Sequence, residues 1–271
     1  MKHSTGLRLA CALATLVPAA AVAAPVNLAT WTAESYPAVS GFGAGVWNVA
    51  PAGASVFQSV NGQPPRFVGD FNAFGRDVRG KIKSAGGDDD YVGFAIGYRN
   101  GDTGNATANY LLIDWKQGTQ AYDFGTPAAT PGSTAYRGLA VSRVTGIPTA
   151  DEFWGHVDFS AAQGGGAGGV TEMARGATLG DAGWVDNREY EFRFIFQPNN
   201  LKVYVDGSLE LDVSGSFADG RLAFYNFSQA AVTYSAFTLD RIPVVPEPET
   251  YALMLAGLGA LGAVARRRRS A

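Results

Sequence analysis

Cysteine occurs once in the 271 residues, at Cys11, and histidine only twice. A chain this poor in both cannot build a Cys/His zinc centre. Nor can disulfides staple it, so a packed core must hold it together. Cys11 does not read as a lipidation site, because Arg8 stands where an apolar residue is needed. No apolar run reaches the roughly twenty residues of a full membrane crossing. The Gly-rich stretch from Gly164 to Gly169 is not followed by Gly-Lys-Ser/Thr, which removes the phosphate-loop reading. It reads as a surface loop within one domain. No G-x-S-x-G nucleophile motif is present, and no helical apolar stripe or fixed repeat runs between Ala24 and Val244.

The two ends carry the clearest signals. Lys2 and Arg8 precede the apolar run Leu9–Ala24, which contains Ala21-Val22-Ala23. A basic start, an apolar run and an A-x-A site make a secretory signal peptide, expected to span residues 1–23. The other end reads Val245-Pro246-Glu247-Pro248-Glu249-Thr250, then the apolar run Tyr251–Ala265, then Arg266, Arg267, Arg268 and Arg269. The prolines forbid strand continuation and make a stiff spacer. The apolar run is expected to form a short transmembrane helix with its arginines on the cytoplasmic side. Pro246-Glu247-Pro248, an apolar helix and an arginine cluster together resemble the PEP-CTERM sorting signal. That resemblance implies an exosortase-type processing enzyme as partner and transient anchoring in the inner membrane. The body would then be exported to an extracellular or cell-surface location, in association with exopolysaccharide or biofilm matrix.

Between the ends lie residues 24–242, expected to form one domain, with the sorting tail at 243–271. The formal charge of −3 falls to −5 without Lys2 and Arg8, and to −7 once the four terminal arginines leave with Glu247 and Glu249. An acidic body is a poor partner for nucleic acid. The 35 glycines and 12% aromatic residues suit short strands joined by tight turns. Strand-like alternation appears at Ser55–Val60, Val78–Lys83, Tyr91–Tyr98, Asn109–Gln117, Leu139–Val144, Leu201–Val205, Leu209–Val213, Arg221–Phe227 and Val232–Leu239. It is clearest where Tyr190, Phe192, Phe194 and Phe196 share one face. Asn61-Gly62 and Asp206-Gly207 are hairpin signals. The order predicts an all-β fold, a jelly-roll or concanavalin/lectin-like β-sandwich.

The segment Gly87-Asp88-Asp89-Asp90-Tyr91-Val92-Gly93-Phe94-Ala95-Ile96-Gly97-Tyr98 resembles the C-terminal domain of thrombospondins. Trp115-Lys116-Gln117, Gly183-Trp184, Gly220-Arg221-Leu222 and Phe227-Ser228-Gln229 extend the resemblance in order, over most of Trp47–Leu239. It departs at Arg99–Ala108, a longer Gly/Asn-rich loop, and around Asp123–Tyr136. The resemblance implies a lectin-like, calcium-binding sandwich that binds rather than catalyses. Adhesion roles that depend on the family's neighbouring calcium-wire repeats do not carry over, because those repeats are absent.

Asp88, Asp89 and Asp90 form the sharpest polar cluster. Adjacent carboxylates repel by roughly 1 kcal/mol per close pair even in water, a cost that a hard cation such as calcium removes. The same residues also read as a solvated acidic turn. Trp115 and Trp154 are candidate stacking platforms for a sugar ring, although large aromatics are more often core than platform. A glycoside hydrolase is the rival reading, with Glu189 and Glu191 as its carboxylate pair and Asp151 with Glu152 as a second. The E-x-D-x-x-E pattern of laminarinase-like hydrolases is missing. His156 reads as a loop or partly buried histidine. The expectation is a non-catalytic, calcium-binding module whose partner is a matrix polysaccharide or matrix protein; a structural matrix protein without a ligand is the third reading.

Overall fold

The structure is a computed structural model that describes residues 23–36, 38–39, 41–125, 132–159, 168–242 and 248–269. The signal-peptide segment, Pro246, Glu247 and most of the Gly164–Gly169 stretch lie outside the described residues.

Seventeen strands and two α-helices follow one another among the described residues. The first group is β1 (Ala24–Pro25), β2 (Thr32–Ser35), β3 (Trp47–Val49), β4 (Ser55–Gln58), β5 (Pro65–Asn72) and β6 (Arg76–Ser84). Next come β7 (Tyr91–Tyr98), β8 (Asn109–Lys116), β9 (Gln120–Tyr122), β10 (Ser133–Ala135), β11 (Gly138–Thr145) and the helix α1 (Ala150–Gly155). The chain then runs through β12 (Gly169–Arg175), β13 (Glu189–Gln197), β14 (Asn200–Val205), β15 (Ser208–Ser214), β16 (Arg221–Phe227) and β17 (Val232–Arg241) to α2 (Pro248–Arg269).

Two large antiparallel sheets result, with β9 and β10 forming a separate two-stranded one. One has the order β15-β14-β13-β6-β17-β4-β3, with β1 added on β17; the other has the order β12-β11-β8-β7-β16-β5-β2. The expected all-β sandwich is the fold. Alternation decides which side chains meet between the sheets. Phe192, Phe194 and Phe196 of β13 face Val92, Phe94 and Ile96 of β7 and Leu222 and Phe224 of β16 in one buried cluster. Phe94 lies 4.8 Å from Phe194 and 5.0 Å from Phe192, ring centre to ring centre. At Gly80 a β-carbon would come within 2.3–2.4 Å of the Phe237 ring, so glycine there lets that ring lie on the β6 backbone.

The second sheet is buried on both faces. Tyr91 and Ala95 of β7, Tyr110 and Leu112 of β8 and Tyr225 and Phe227 of β16 point away from the sandwich. They pack under Ala150, Phe153 and Trp154 of α1, with Phe124, Ala135 and Tyr36. This third layer gives β7 eight consecutive buried residues. α1 begins in a capping box in which Thr149 accepts from Glu152 N–H and Glu152 accepts from Thr149 N–H.

Two expectations from the sequence change. Asp206-Gly207 does close a two-residue hairpin between β14 and β15, with φ of 48° and 82° as a type I′ turn requires. Asn61-Gly62 does not close one, because β4 pairs with β3 and β17 while the next strand, β5, belongs to the other sheet. The expected transmembrane helix is also corrected. α2 forms, yet no helix among the described residues is long and apolar enough to cross a membrane. The run Tyr251–Ala265 rises only about 22 Å, against a hydrocarbon core of about 30 Å.

Phe194 is fully buried and touches both Phe94 and Phe192. Phe194→Ala is expected to cost about 3–5 kcal/mol, read as a lower urea midpoint with an unchanged slope; a loss under about 1 kcal/mol would show that the inter-sheet cluster does not hold the fold.

Candidate functional site

The acidic turn leads from β6 into β7, and the end of β8 lies beside it through the Tyr91–Lys116 pair. Lys116 is completely buried. Its Nζ donates to the Asp90 Oδ1 at 2.7 Å, the Asp89 carbonyl at 2.8 Å, the Asp89 Oδ1 at 3.2 Å and Gln120 Oε1 at 3.3 Å. The Trp154 ring centre lies 5.0 Å from the same ammonium, within range of a cation–π contact.

Asp90 is tied down on every side. Its N–H donates to Gln229 Oε1 at 2.9 Å, and its carbonyl accepts from Trp184 Nε1 at 3.1 Å. Burial pushes its carboxyl above the ordinary value, against the pull of Lys116. Asp88 and Asp89 differ. Asp89 keeps 45% of its side chain exposed. Asp88 accepts from Asn61 Nδ2 at 2.6 Å and from the Asp89 N–H at 3.1 Å. Carboxylate oxygens of all three residues lie within 4.8 Å of one another. Three carboxylates against one ammonium leave two negative charges. The donor set is all hard oxygen, without histidine or thiolate, and suits calcium better than zinc. The partly buried carboxylates of Asp88 and Asp89 fit such an ion. The Asp90 Oδ1 does not, because Lys116 holds it.

Trp115 and Trp154 are not platforms, which corrects the sugar-stacking expectation. Each is 1% exposed, and each indole N–H is spent inside the protein, on the Ala182 carbonyl at 2.6 Å and the Gln120 carbonyl at 3.1 Å. Glu189 and Glu191 stand on the open face of the β13 sheet, where Glu189 pairs with Lys81 at 2.6 Å. Asp151 and Glu152 are fully buried. Asp151 accepts from Phe124 N–H at 2.9 Å, and Glu152 from Thr149 N–H at 2.7 Å and Phe159 N–H at 2.8 Å.

Sequence reading missed the second charged group under α1. His156 closes α1 with φ of 50° and aims Nε2 at the Asp114 Oδ2, 3.0 Å away, while Nδ1 lies 3.5 Å from the Glu172 Oε2. Burial alone would lower the imidazole, but Asp114 and then Glu172 outweigh it and push it up to about 9. The signal was present: Asp114 is the lone charge inside Leu111-Leu112-Ile113-Asp114-Trp115.

A histidine raised in the folded state stabilises fully below its unfolded value near 6.5, and that contribution fades as pH rises through about 9. His156→Gln is therefore expected to lose about 3 kcal/mol at pH 6 and clearly less at pH 10, measured by urea unfolding. A pH-independent loss would show that His156 acts by packing alone.

Residues 43–241 match the family model of the thrombospondin C-terminal region, and residues 244–269 match the PEP-CTERM protein-sorting motif. Thrombospondin-3b of Danio rerio is 28% identical over 201 residues, covering 70% of this chain and 20% of the relative. Thrombospondin-2 of Homo sapiens is 28% identical over 204 residues, covering 70% of this chain and 16% of the relative. The chain thus spans a fifth or less of the length of these curated relatives. A carbohydrate-binding module, CBM66 of Bacillus subtilis, overlays loosely, with a TM-score of 0.46 and 11% identity over 72% of this chain and 91% of that one. With nearly three quarters of its length matched, over a range that takes in β3 to β17, the chain belongs to the thrombospondin C-terminal region family and carries a PEP-CTERM sorting motif behind that domain.

Proposed function

We propose that this protein is an exported, non-catalytic binding module that takes calcium at the acidic turn, with Asp88 and Asp89 as ligands and Asp90 as their structural anchor. One observation carries the reading: three carboxylates share a turn whose single buried ammonium neutralises only part of their charge. A divalent cation balances the remainder. Calcium takes six to eight oxygens, so water and nearby carbonyls complete the shell. The ion would brace the β6–β7 turn against the β8 end and the Asn61 segment. Family membership supports the same reading.

The tail supports export. A PEP-CTERM motif is a sorting signal, and an exosortase-type enzyme is its proposed processing partner. After processing, the body is left outside the inner membrane, with a matrix polysaccharide or matrix protein as its partner class. The acidic charge of the body fits a cation-bridged contact with acidic polysaccharide better than a direct one.

Calorimetric titration of calcium into the purified protein, with melting followed with and without chelator, tests the site. An ion that binds only the folded state raises the melting temperature. Calcium is expected to raise it, and Asp88→Ala with Asp89→Ala to abolish both heat and shift. Asp90→Ala is expected to lower the melting temperature even in chelator, because it strips Lys116 of its closest oxygen. No heat and no shift for the wild-type protein would sink the calcium reading.

A further inference from the structure

The cover over the second sheet forms a half-open cavity of about 190 Å3. It opens between Ile147-Pro148-Thr149, α1 and the chain around Tyr36, on a different side of α1 from the Lys116 oxygens. Its walls are largely apolar: Tyr36, Val39, Pro64, Ile147 and Phe153. A cavity of about 150 Å3 with such walls takes a molecule the size of benzene.

Two polar side chains, Thr149 and Gln63, break the lining, and the Thr149 hydroxyl is spent on Glu152. Gln63 is 1% exposed, and its Nε2 is buried without a hydrogen-bond partner. Its backbone is held, with N–H donating to the Gly43 carbonyl at 2.8 Å. Folded proteins leave few buried polar groups unpaired, because each costs its full desolvation. The terminal torsion of glutamine is soft, so a small turn of the amide presents this N–H to the cavity.

Charge of both signs stands behind the walls: the buried Glu152 carboxylate, behind Thr149, is taken up by the Thr149 and Phe159 N–H groups and the Thr149 hydroxyl, whereas the cation has no such compensation. Arg66 is fully buried, and its guanidinium carbon lies 5.6 Å from the Tyr36 ring centre and 5.4 Å from that of Phe153. Among the described residues it donates to Tyr110 Oη at 3.0 Å and the Pro65 carbonyl at 3.3 Å, while its Nε has no partner there. Among the described residues no carboxylate stands within ion-pair distance of it. A buried cation without a counter-charge sets up a positive potential across the two rings that separate it from the cavity.

We propose that this cavity binds a small single-ring carboxylate, its ring against Tyr36, Ile147 and Phe153 and its carboxylate on Gln63 Nε2, in the field of Arg66. An unpaired donor asks for an acceptor, the uncompensated cation favours an anion, and the apolar walls select a ring without hydroxyls. A sugar acid of similar size is disfavoured, because its hydroxyls would be buried against Val39, Pro64 and Ile147 without partners.

Saturation-transfer NMR on the purified full chain tests this with benzoate, toluene and glucuronate as probes, in chelator so that the result is independent of the calcium reading. Benzoate is expected to bind, toluene more weakly, and glucuronate not at all. Gln63→Leu should weaken benzoate about fivefold, the worth of one hydrogen bond, and leave toluene unchanged. Ile147→Trp fills the cavity and should abolish both. Unchanged melting of the two variants shows that they fold, and if either fails to fold, displacement of toluene by benzoate on the wild-type chain decides. Absence of benzoate binding, equal binding of toluene and benzoate, or benzoate binding indifferent to both substitutions would each overturn the proposal. So would stronger binding of glucuronate, which would make the site one for sugars.

Discussion

An ammonium shut away from water has to be surrounded by oxygen, and Lys116 meets that demand with acceptors from separate stretches of chain. The Asp89 carbonyl and the carboxylates of Asp89 and Asp90 come from the turn before β7, Gln120 from the start of β9, while Trp154 of α1 covers the group. Burying an ion pair gains little over apolar packing, but removing one partner strands the other at a cost of about 3–5 kcal/mol. The geometry of the acidic turn is therefore fixed from inside. Asp90 is spent on the fold, and that fixes where Asp88 and Asp89 stand. The same reasoning applies close by on the same sheet, where Asp114 on β8 and His156 at the end of α1 are both buried and bonded to each other. Together these pairs dock α1 on a sheet that would otherwise show a polar stripe to water.

Why charge lies there at all follows from the three-layer build. A sheet with one wet face alternates apolar and polar residues. β13 does so, with Tyr190, Phe192, Phe194 and Phe196 buried between Glu189, Glu191 and Arg193. That strand was legible from sequence because each face reports one environment. β7 was legible for the opposite reason, since a strand covered on both faces reads as an unbroken apolar run. β5 and β12 were not visible. Pro65, Gly69 and Asp70 interrupt β5, and Thr171, Glu172 and Arg175 give β12 the character of a loop, although both strands are paired in the sheet. α1 was invisible as a helix because six residues are too few for a 3.6-residue period. Its Thr149/Glu152 capping box was the one local sign of it. Without α1, Trp154 falls in a supposed loop, and a tryptophan there looks exposed until the helix that buries it is known.

The acidic turn was legible as composition, and its division of labour was not. Nothing in three successive aspartates says which one faces inward. That is decided by Lys116, twenty-six positions beyond Asp90, through a strand pairing that only the folded sheet displays. Lys116 stood in plain view within Trp115-Lys116-Gln117, a lone cation at the end of an apolar strand. A buried lysine needs an anionic partner, so this motif and the acidic turn could have been joined on that rule alone.

The fate of the buried carboxylates bears on catalysis too. A general acid or base must exchange its proton with a substrate within hydrogen-bond reach. Glu152 accepts from two backbone N–H groups and the Thr149 hydroxyl. Glu210 accepts from the Thr178 and Leu179 N–H groups and the Thr178 hydroxyl. Asp77 is gripped by Arg193 through three contacts of 2.6–3.0 Å. Each of these carboxylates holds a turn, a cap or a strand face, and moving a proton onto it would release the element it holds. Asp88 and Asp89 differ in being only partly buried, so their carboxylates face solvent as well as the Asn61, Asp89 N–H and Lys116 groups they accept from. Negative charge gathered on a turn that is fixed from inside attracts a cation, and this weights the molecule towards binding.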